Sequence, residues 1–263
     1  MPFSKEMILG ASGNQGVAAF YDHQIQHSMR FDRADNTYLS RTPSSESSRL
    51  KWSISFWHKC TQPNRLLAAS NNYHQWWWCT SGENDSILLQ YTADDHYYFQ
   101  VGGQAEYPSA EFRDVGGWTH WLYVFDRDNG TQANKRRVYV NGVEHATELS
   151  QSQSNQSATN STTVHYIGRR GDNNSAYHAD GYIAQFLLVD NLVLTPSDVT
   201  STKNGIVIPK DVSSLTYGTN GFLLEFGTAN DLGKDTSGNN NDWGVSNAGT
   251  DHQVLESPTF SGS

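Results

Sequence analysis

Short runs of β-branched and aromatic residues recur along most of the chain, separated by Gly, Asn and Asp. Within many of these runs, apolar and polar side chains alternate with a period of two, which is typical of a strand with one buried and one solvated face. The pattern predicts strands at residues 52–58, 86–91, 97–101, 119–125, 137–141, 164–168, 182–189 and 221–226. We therefore expect an all-β protein.

The connections between these strands carry local signals of their own. Asn141 and Gly142 predict a type I′ hairpin, because both residue types tolerate the positive φ angles of that turn. Residues 195–198 predict a single helical turn, with a threonine cap, a proline at the first position and an acid in the first turn. Residues 150–163 are almost entirely Ser, Gln, Asn and Thr and predict a long loop, for which we expect disorder or passive packing rather than function.

Composition and charge narrow the class of protein. The chain has 263 residues, of which 12% are aromatic and 17% charged, which favours one folded domain with tails. We expect the N-terminal arm at residues 1–27 and the folded domain at residues 28–263. The apolar runs are shorter than the roughly 18 residues that cross a bilayer, so we expect no membrane insertion. The formal charge of −9 disfavours nucleic acid as a partner. Cys60 and Cys79 predict reduced, partly buried thiols rather than a disulfide framework.

Several segments, taken in their order along the chain, resemble a known family. They are residues 29–32, 38–40, 53–57, 117–121, 138–143, 166–168 and 180–184. This set is similar to laminin-G-like, concanavalin A-like lectin domains. Residues 235–243 and 255–259 resemble in particular the branch found in marine bacteriophage virion proteins. The resemblance implies a two-sheet antiparallel jelly-roll sandwich with an extended N-terminal arm, which agrees with the strand pattern.

The order of the segments differs from the family in one place. In laminin-G-like domains a segment like residues 235–242 precedes the first strand, whereas here it follows the last one. We therefore expect residues 221–263 to close the sandwich, with residues 221–226 pairing beside the first strand within the same chain.

The resemblance implies a non-enzymatic structural protein of a bacteriophage virion, synthesised in the host cytoplasm. Residues 1–27 would anchor it to other virion proteins, and it would form a homo-oligomer. Its lectin-like domain would bind host-surface polysaccharide as a tail or head fibre adhesin. Two alternatives stay open: a capsid or tail decoration protein that cements the particle without binding glycan, and a glycan-degrading hydrolase.

Catalysis would need a pair of acids. Related β-glucanases use a strand motif Glu-x-Asp-x-Glu, whose outer carboxylates lie about 5 to 5.5 Å apart in retaining enzymes. The nearest match is Glu144 and Glu148, whose spacing predicts that both acids lie on one face of a strand. Ala146 replaces the middle acid, and the chain has no Gly-x-Ser-x-Gly elbow. We therefore predict no catalytic residues.

The resemblance also raises the question of a structural calcium. Many relatives bind it through one Asp near the start and another on the strand after a Gly-x-Ile segment. Here the second position reads Ala184-Gln185, which leaves Asp32 and Asp180 as the candidate ligands. Residues 235–246 lack the final Glu of a calcium loop, because its twelfth position is Ser246. We predict no cofactor, with this calcium as the alternative.

The aromatic runs give the binding prediction. Neighbouring side chains in Trp76-Trp77-Trp78 should point to opposite faces of a sheet, so at least one should face away from the core. An exposed aromatic ring stacks on the C–H groups of a sugar while polar neighbours bond its hydroxyls. The residues predicted to line such a patch are Tyr73, His74, Trp77, Tyr97, Asp172, Asn173 and Tyr177. The alternative is that these aromatic side chains pack in the core or between subunits.

Overall fold

The computed structural model describes residues 20–61, 73–91, 96–107, 110–112, 114, 116–145, 148–149, 152–172 and 177–260. Its strands are β1 (Ser28–Phe31), β2 (Tyr38–Arg41), β3 (Lys51–Cys60), β4 (His74–Ser81), β5 (Glu83–Tyr91), β6 (His96–Val101), β7 (Gln104–Tyr107), β8 (Thr119–Asp126), β9 (Arg136–Val140), β10 (Val143–His145), β11 (Glu148–Leu149), β12 (His165–Ile167), β13 (Gly181–Asp190), β14 (Thr200–Lys203), β15 (Ile206–Pro209), β16 (Phe222–Leu224), β17 (Gly244–Ser246) and β18 (Gln253–Val254). The helical elements are α1 (Pro196–Val199) and 3-10 turns at Gln132–Asn134 and Thr250–His252. Over the ranges given above, no helix has the length and apolar character needed to cross a bilayer.

The strands form two antiparallel sheets of eight strands each. Sheet 1 has the order β10-β9-β8-β3-β13-β1-β18, and β16 also pairs with β13. Sheet 2 has the order β11-β7-β6-β5-β4-β12-β2-β17, while β14 and β15 form a separate hairpin. The all-β sandwich of two antiparallel sheets is confirmed, and each predicted strand overlaps an observed one.

Stacked aromatic rings fill the space between the two sheets. Phe186 of β13 lies parallel to Phe56 of β3 with 5.1 Å between ring centroids, and Phe222 of β16 continues the stack 6.0 Å from Phe186. Trp77 of sheet 2 lies 6.3 Å from Phe186 and joins the two layers. All of these side chains are at most 1% exposed. Since burying one such side chain stabilises the fold by about 1.5–3 kcal/mol, this stack holds the sheets together.

The local predictions for turns and thiols are confirmed. Asn141 and Gly142 connect β9 to β10 with φ angles of 47° and 76°. The helical turn α1 follows Thr195, whose backbone N–H donates to the Asp198 carboxylate at 2.7 Å. Cys60 and Cys79 are buried thiols, one on each sheet, and are not joined in a disulfide.

Residues 152–163 lie against the core rather than in solvent. Ser157 is 0% exposed and Thr159 is 0% exposed. The carboxylate of Asp85 on β5 holds them: its Oδ2 accepts from Thr159 N at 2.8 Å and from the Ser157 hydroxyl, and its Oδ1 accepts from Gly102 N at 2.8 Å. Of disorder and packing, the two expectations for this loop, the described residues 152–163 bear out packing. Polar side chains can be buried at little cost when such an acceptor satisfies them.

The C-terminal segment closes the sandwich within its own chain, but not where the sequence predicts. β16 pairs with β13 and not with β1, so the predicted neighbour is wrong. β3 covers one side of β13 from end to end, so β1 and β16 share the other side of β13. β1 takes residues 181–183 and β16 takes residues 186–188. The edge beyond β1 is instead covered by β18.

The predicted N-terminal arm is described only from residue 20 onward. There Ile25 is 5% exposed, and its backbone N–H donates to Thr259 Oγ1 at 2.9 Å. The Ile25 carbonyl accepts from Thr259 Oγ1 at 3.0 Å and from the Ser257 hydroxyl. This part of the arm therefore packs on the sandwich. Residues 1–19 lie outside the described residues, and their anchoring role stays a prediction.

Candidate functional site

An irregularity in β4 decides which tryptophan faces outward. The partners of Gln75 and Trp77 on β5 are consecutive residues, so Trp76 is an extra residue in the pairing, a β-bulge. As a result, Trp76 and Trp77 both point into the core, with exposures of 0% and 1%. Trp78 is half-buried and points away from the core.

Four tyrosines share the outward face of sheet 2 with Trp78. We call this face the aromatic surface; it consists of Tyr38, Trp78, Tyr98, Tyr166 and Tyr177, all half-buried. Trp78 on β4, Tyr166 on β12 and Tyr38 on β2 form a row across three adjacent strands. Their successive ring centroids are 5.9 Å and 6.0 Å apart. The row is therefore continuous.

Two consecutive arginines after β12 lie over these rings. The guanidinium carbon of Arg169 is 4.0 Å from the ring centroid of Tyr38 and 4.7 Å from that of Tyr166. The guanidinium carbon of Arg170 is 3.8 Å from the ring centroid of Tyr177. Each cation–π contact at such a partly exposed position is worth about 0.5–1 kcal/mol. The contacts favour the observed orientations of the rings.

Gly171 brings the next piece of backbone onto Trp78. A Cβ atom at residue 171 would lie 2.2 Å from Cζ3 of the indole, closer than any side chain permits. Only glycine allows this approach, since it has no Cβ. The contact fixes the orientation of the Trp78 ring.

A shallow groove of about 100 Å³ runs beside Trp78 over β4, β5 and β6. Gln75, Ser86 and Gln100 provide polar lining, and Tyr98 provides a second aromatic ring. Gln75 is fully buried, and its Nε2 donates to Ser86 Oγ at 2.9 Å. Within the described part of the chain, Gln75 Oε1 has no hydrogen-bond partner.

Some of the predicted sugar-binding residues meet at the edge of this surface. Tyr73 and Tyr177 have ring centroids 4.7 Å apart, and burial raises the pKa of Tyr73. Asp172 accepts a hydrogen bond from Arg170 Nε at 3.0 Å, which raises the pKa of Arg170. The structure thus places Tyr177 on the aromatic surface and brings Tyr73 and Asp172 to its edge.

Other predicted sugar-binding residues are buried, and their predicted exposure is wrong. His74, Trp77 and Tyr97 are at most 1% exposed. Burial lowers the pKa of His74 well below its usual value and raises that of Tyr97. Trp77 Nε1 donates to Thr159 Oγ1 at 3.0 Å in the core. Asn173 lies outside the described residues.

Two residues that the sequence reasoning missed had a usable signal. In β6 the apolar Phe99 and Val101 point inward, so the alternation places Tyr97 inward and Tyr98 outward. Tyr166 stands between the inward His165 and Ile167 in the same way. Trp78 had no such signal, because the bulge that reverses the alternation depends on how β4 pairs with β5.

The two candidate calcium ligands receive little support. Burial, and to a smaller extent the charge of Asp32, raises the pKa of Asp180, and Asp180 Oδ1 accepts from Thr61 Oγ1 at 3.2 Å. Across the described residues, no group of three His, Cys, Asp or Glu side chains is placed to hold a metal ion. Calcium takes about six to eight oxygen ligands, so this pair of acids does not by itself form such a site.

The two candidate catalytic acids belong to different sheets. Glu144 lies on β10 at the edge of sheet 1, opposite Tyr139. Glu148 lies on β11 at the edge of sheet 2, opposite Tyr107. The prediction that both acids share one strand face is therefore wrong, because the chain passes from one sheet to the other between them.

Comparison with known proteins places this geometry in a family. A family model described as the concanavalin A-like lectin/glucanases superfamily matches residues 33–200, more than half of the chain. The search of curated proteins found no match to this chain. Similar solved structures include the native heptameric SAP-like pentraxin from Limulus polyphemus, with 17% identity, a TM-score of 0.48 and coverage of 66% of this chain and 80% of that chain. Domains LG4-5 of the mouse laminin alpha1 chain match with 11% identity, a TM-score of 0.43 and coverage of 66% and 44%. Domain 4 of AbnA, a GH43 extracellular arabinanase from Geobacillus stearothermophilus, solved with arabinotriose, matches with 17% identity, a TM-score of 0.40 and coverage of 60% and 68%. The chain belongs to the concanavalin A-like lectin/glucanases superfamily.

Proposed function

We propose that the chain is a carbohydrate-binding domain that holds a polysaccharide against the aromatic surface and does not cleave it. The observation that carries this proposal is the outward orientation of the Trp78 side chain. The bulge in β4 turns its indole outward, Gly171 fixes the ring from one side, and a groove lined by amide and hydroxyl groups runs beside it.

The chemistry of this surface matches that of a sugar ring. A pyranose presents C–H groups on its faces, which pack on an aromatic ring, and hydroxyls at its rim, which both donate and accept hydrogen bonds. Trp78 supplies the ring, and Tyr166, whose own ring lies under Arg169, packs beside it. Ser86 and Gln100 supply donors and acceptors together, as hydroxyl recognition requires.

The extent of the surface indicates which part of a glycan it would bind. Neighbouring strands lie about 4.8 Å apart, so the row from Trp78 through Tyr166 to Tyr38 spans about 10 Å. That distance is longer than one sugar ring. The surface therefore fits an internal stretch of a polysaccharide better than a single terminal sugar.

The absence of hydrolysis is part of the proposal. It is supported by the location of Glu144 and Glu148 on two different sheets. Hydrolysis by a pair of acids needs two carboxylates that flank one glycosidic bond. The release of new reducing ends from a bound polysaccharide would favour the hydrolase instead.

We further propose that the polysaccharide belongs to a host-cell surface and that the domain is carried by a bacteriophage virion as a fibre or adhesin. The support is the sequence resemblance of residues 235–243 and 255–259 to the phage branch. An antiserum against the purified domain should label phage particles, and the soluble domain should compete with their adsorption. Labelling without competition would favour a decoration protein that does not bind glycan. The absence of labelling would contradict the proposal that a virion carries this domain.

Binding should be tested with a polysaccharide array followed by isothermal titration of the best ligand. Trp78→Ala and Tyr166→Ala should each weaken binding by about 2 kcal/mol, or about thirtyfold, as expected for an aromatic residue at the centre of a binding surface. Tyr182→Ala is the matched control, because Tyr182 is also a half-buried strand tyrosine but lies on sheet 1. Equal affinities for all these proteins, or no ligand on the array, would contradict the proposal.

A further inference from the structure

Two residues of the described chain have an unusual backbone conformation. Nine non-glycine residues there have φ angles in the left-handed region, and seven of them are asparagines, which tolerate it. The other two are Gln185, with φ of 48°, and Phe226, with φ of 57°. Such conformations persist in other residue types only where the surrounding structure imposes them, and they cluster at ligand sites.

Both residues lie where sheet 1 is interrupted. On one side of β13, the pairing with β1 ends at Ile183 and the pairing with β16 begins at Phe186. The register with β3 also shifts between residues 184 and 187, which marks a bulge at Gln185. The start of β1 at Ser28 and the end of β16 at Leu224 thus lie head to tail beside Gln185. An opening remains between the two strand ends.

A pocket of about 260 Å³ occupies this opening, and we call it the junction pocket. Its polar lining consists of Gln24, Gln26, His27, Gln185 and Glu225. Gln185 is 3% exposed, and its Nε2 lies 3.3 Å from His23 Nε2 and 3.4 Å from the Lys210 carbonyl oxygen. These contacts hold the side chain in the wall of the pocket.

The core enforces the second left-handed residue. The Phe226 side chain is 2% exposed within the hydrophobic core, and its carbonyl accepts from Gln253 Nε2 at 2.6 Å. The backbone is therefore held from both sides, and this conformation places the neighbouring Glu225 and Gly227 in the pocket wall.

We propose that the junction pocket is a second binding site, which takes a single neutral sugar residue. The amides of Gln24 and Gln26 both donate and accept, as sugar hydroxyls do. Gln185 Oε1 and Glu225 add acceptors, because Gln185 Nε2 is already engaged by His23 and Lys210. The described lining includes no Lys or Arg side chain, so an anionic sugar would meet Glu225 without compensation. The volume is slightly below the range of about 300–1,000 Å³ found for drug-sized ligands, which suits one sugar ring.

This site does not depend on the aromatic surface, because it lies in the other sheet. If both bind, the domain engages a glycan at two points, and the second contact becomes an intramolecular event with a high effective concentration. The two sites would then raise the avidity for a branched or densely packed glycan without any new contact at the aromatic surface.

The test is a titration of the ¹⁵N-labelled protein with D-glucose, D-galactose, D-mannose and L-fucose, observed at the side-chain amide signals of Gln24, Gln26 and Gln185. We expect saturable shifts of these signals with at least one of the neutral sugars and at least tenfold weaker binding of D-glucuronate. Gln185→Gly removes the side chain but keeps the left-handed backbone accessible, and it should weaken binding at least tenfold. Asn240→Gly is the matched control, because Asn240 is left-handed with φ of 56° but lies in an exposed loop.

The same titration of Tyr166→Ala separates this site from the aromatic surface. The glutamine signals should shift in that variant as they do in the wild type, even if polysaccharide binding is lost. The proposal is overturned if none of the neutral sugars gives a saturable shift, if Gln185→Gly binds as tightly as the wild type, or if D-glucuronate binds equally well.

Discussion

Removing the carboxylate of Asp85 should destabilise the whole sandwich. Asp85 is 0% exposed and accepts hydrogen bonds from Gly102 N, Ser157 Oγ, Thr159 N and Thr159 Oγ1. A hydrogen bond to a charged acceptor contributes about 1.5–3 kcal/mol, but bonds to one group are not additive. Asp85→Ala leaves these donors buried without their acceptor, so we expect a loss of about 3–5 kcal/mol. Thr159 also accepts from Trp77, so the loss should loosen the inner side of β4, the strand that carries Trp78.

Urea unfolding followed by tryptophan fluorescence measures this loss. Asp85→Asn keeps one side-chain oxygen and should cost about half as much. Asp114→Ala is the control: its carboxylate also accepts backbone N–H bonds, from Gly116 at 2.8 Å and Gly117 at 3.2 Å, but on an exposed turn, so we expect less than about 1 kcal/mol. An Asp85→Ala protein as stable as Asp114→Ala would refute the claim that this carboxylate organises the loop.

Glu106 of β7 and Arg136 of β9 form a fully buried ion pair between the two sheets, with 2.6 Å between Oε1 and Nε. Glu106→Gln should therefore lower the free energy of unfolding, measured in urea, by about 3–5 kcal/mol. The double variant Glu106→Leu with Arg136→Met should recover most of that loss. A Glu106→Gln protein as stable as the wild type would contradict this. Gly171→Ala should weaken glycan binding about tenfold in isothermal titration, because the added Cβ atom would push the backbone at residue 171 away from the Trp78 ring. An unchanged affinity would argue against the claim that Gly171 fixes the orientation of the Trp78 indole. Burial lowers the pKa of several histidines, and we consider three of them: His58 and His120, with a pKa of about 3, and His165, with a pKa of about 4. Below about pH 6.5 these three histidines take up protons in the unfolded chain but not in the folded chain. Their contribution to the free energy of unfolding should therefore be fully present above that pH and should fall by up to about 4 kcal/mol per pH unit on acidification. Equal urea midpoints at pH 7 and pH 5 would exclude this.

The strands and the local turns could be predicted because their causes lie within a few residues. Alternation in β6 follows from burial of one face, and the hairpin at Asn141 follows from the φ angles that the residue tolerates. The pairing of β16 could not be predicted in this way. Its neighbour is fixed by Phe222 stacking on Phe186 and by β1 and β16 sharing one side of β13, which are contacts between distant parts of the chain.

The candidate site was predicted only in part for a related reason. The sequence indicates that one tryptophan of the Trp76–Trp78 run should be exposed, but the bulge opposite β5 determines which one. Similarly, the spacing of Glu144 and Glu148 predicts a shared face only if one strand contains both. The chain instead changes sheets between them, which depends on the pairing of β11 with β7.

The most direct test of glycan binding is at the indole N–H signals of the eight tryptophans, observed while the best polysaccharide fragment from the array is added. We predict that the Trp78 signal shifts saturably. The Trp77 signal should stay in place, because its Nε1 donates to Thr159 in the core. A titration in which Trp78 does not respond, or in which the fragment shifts only tryptophans outside sheet 2, would contradict the proposal that the aromatic surface binds the glycan.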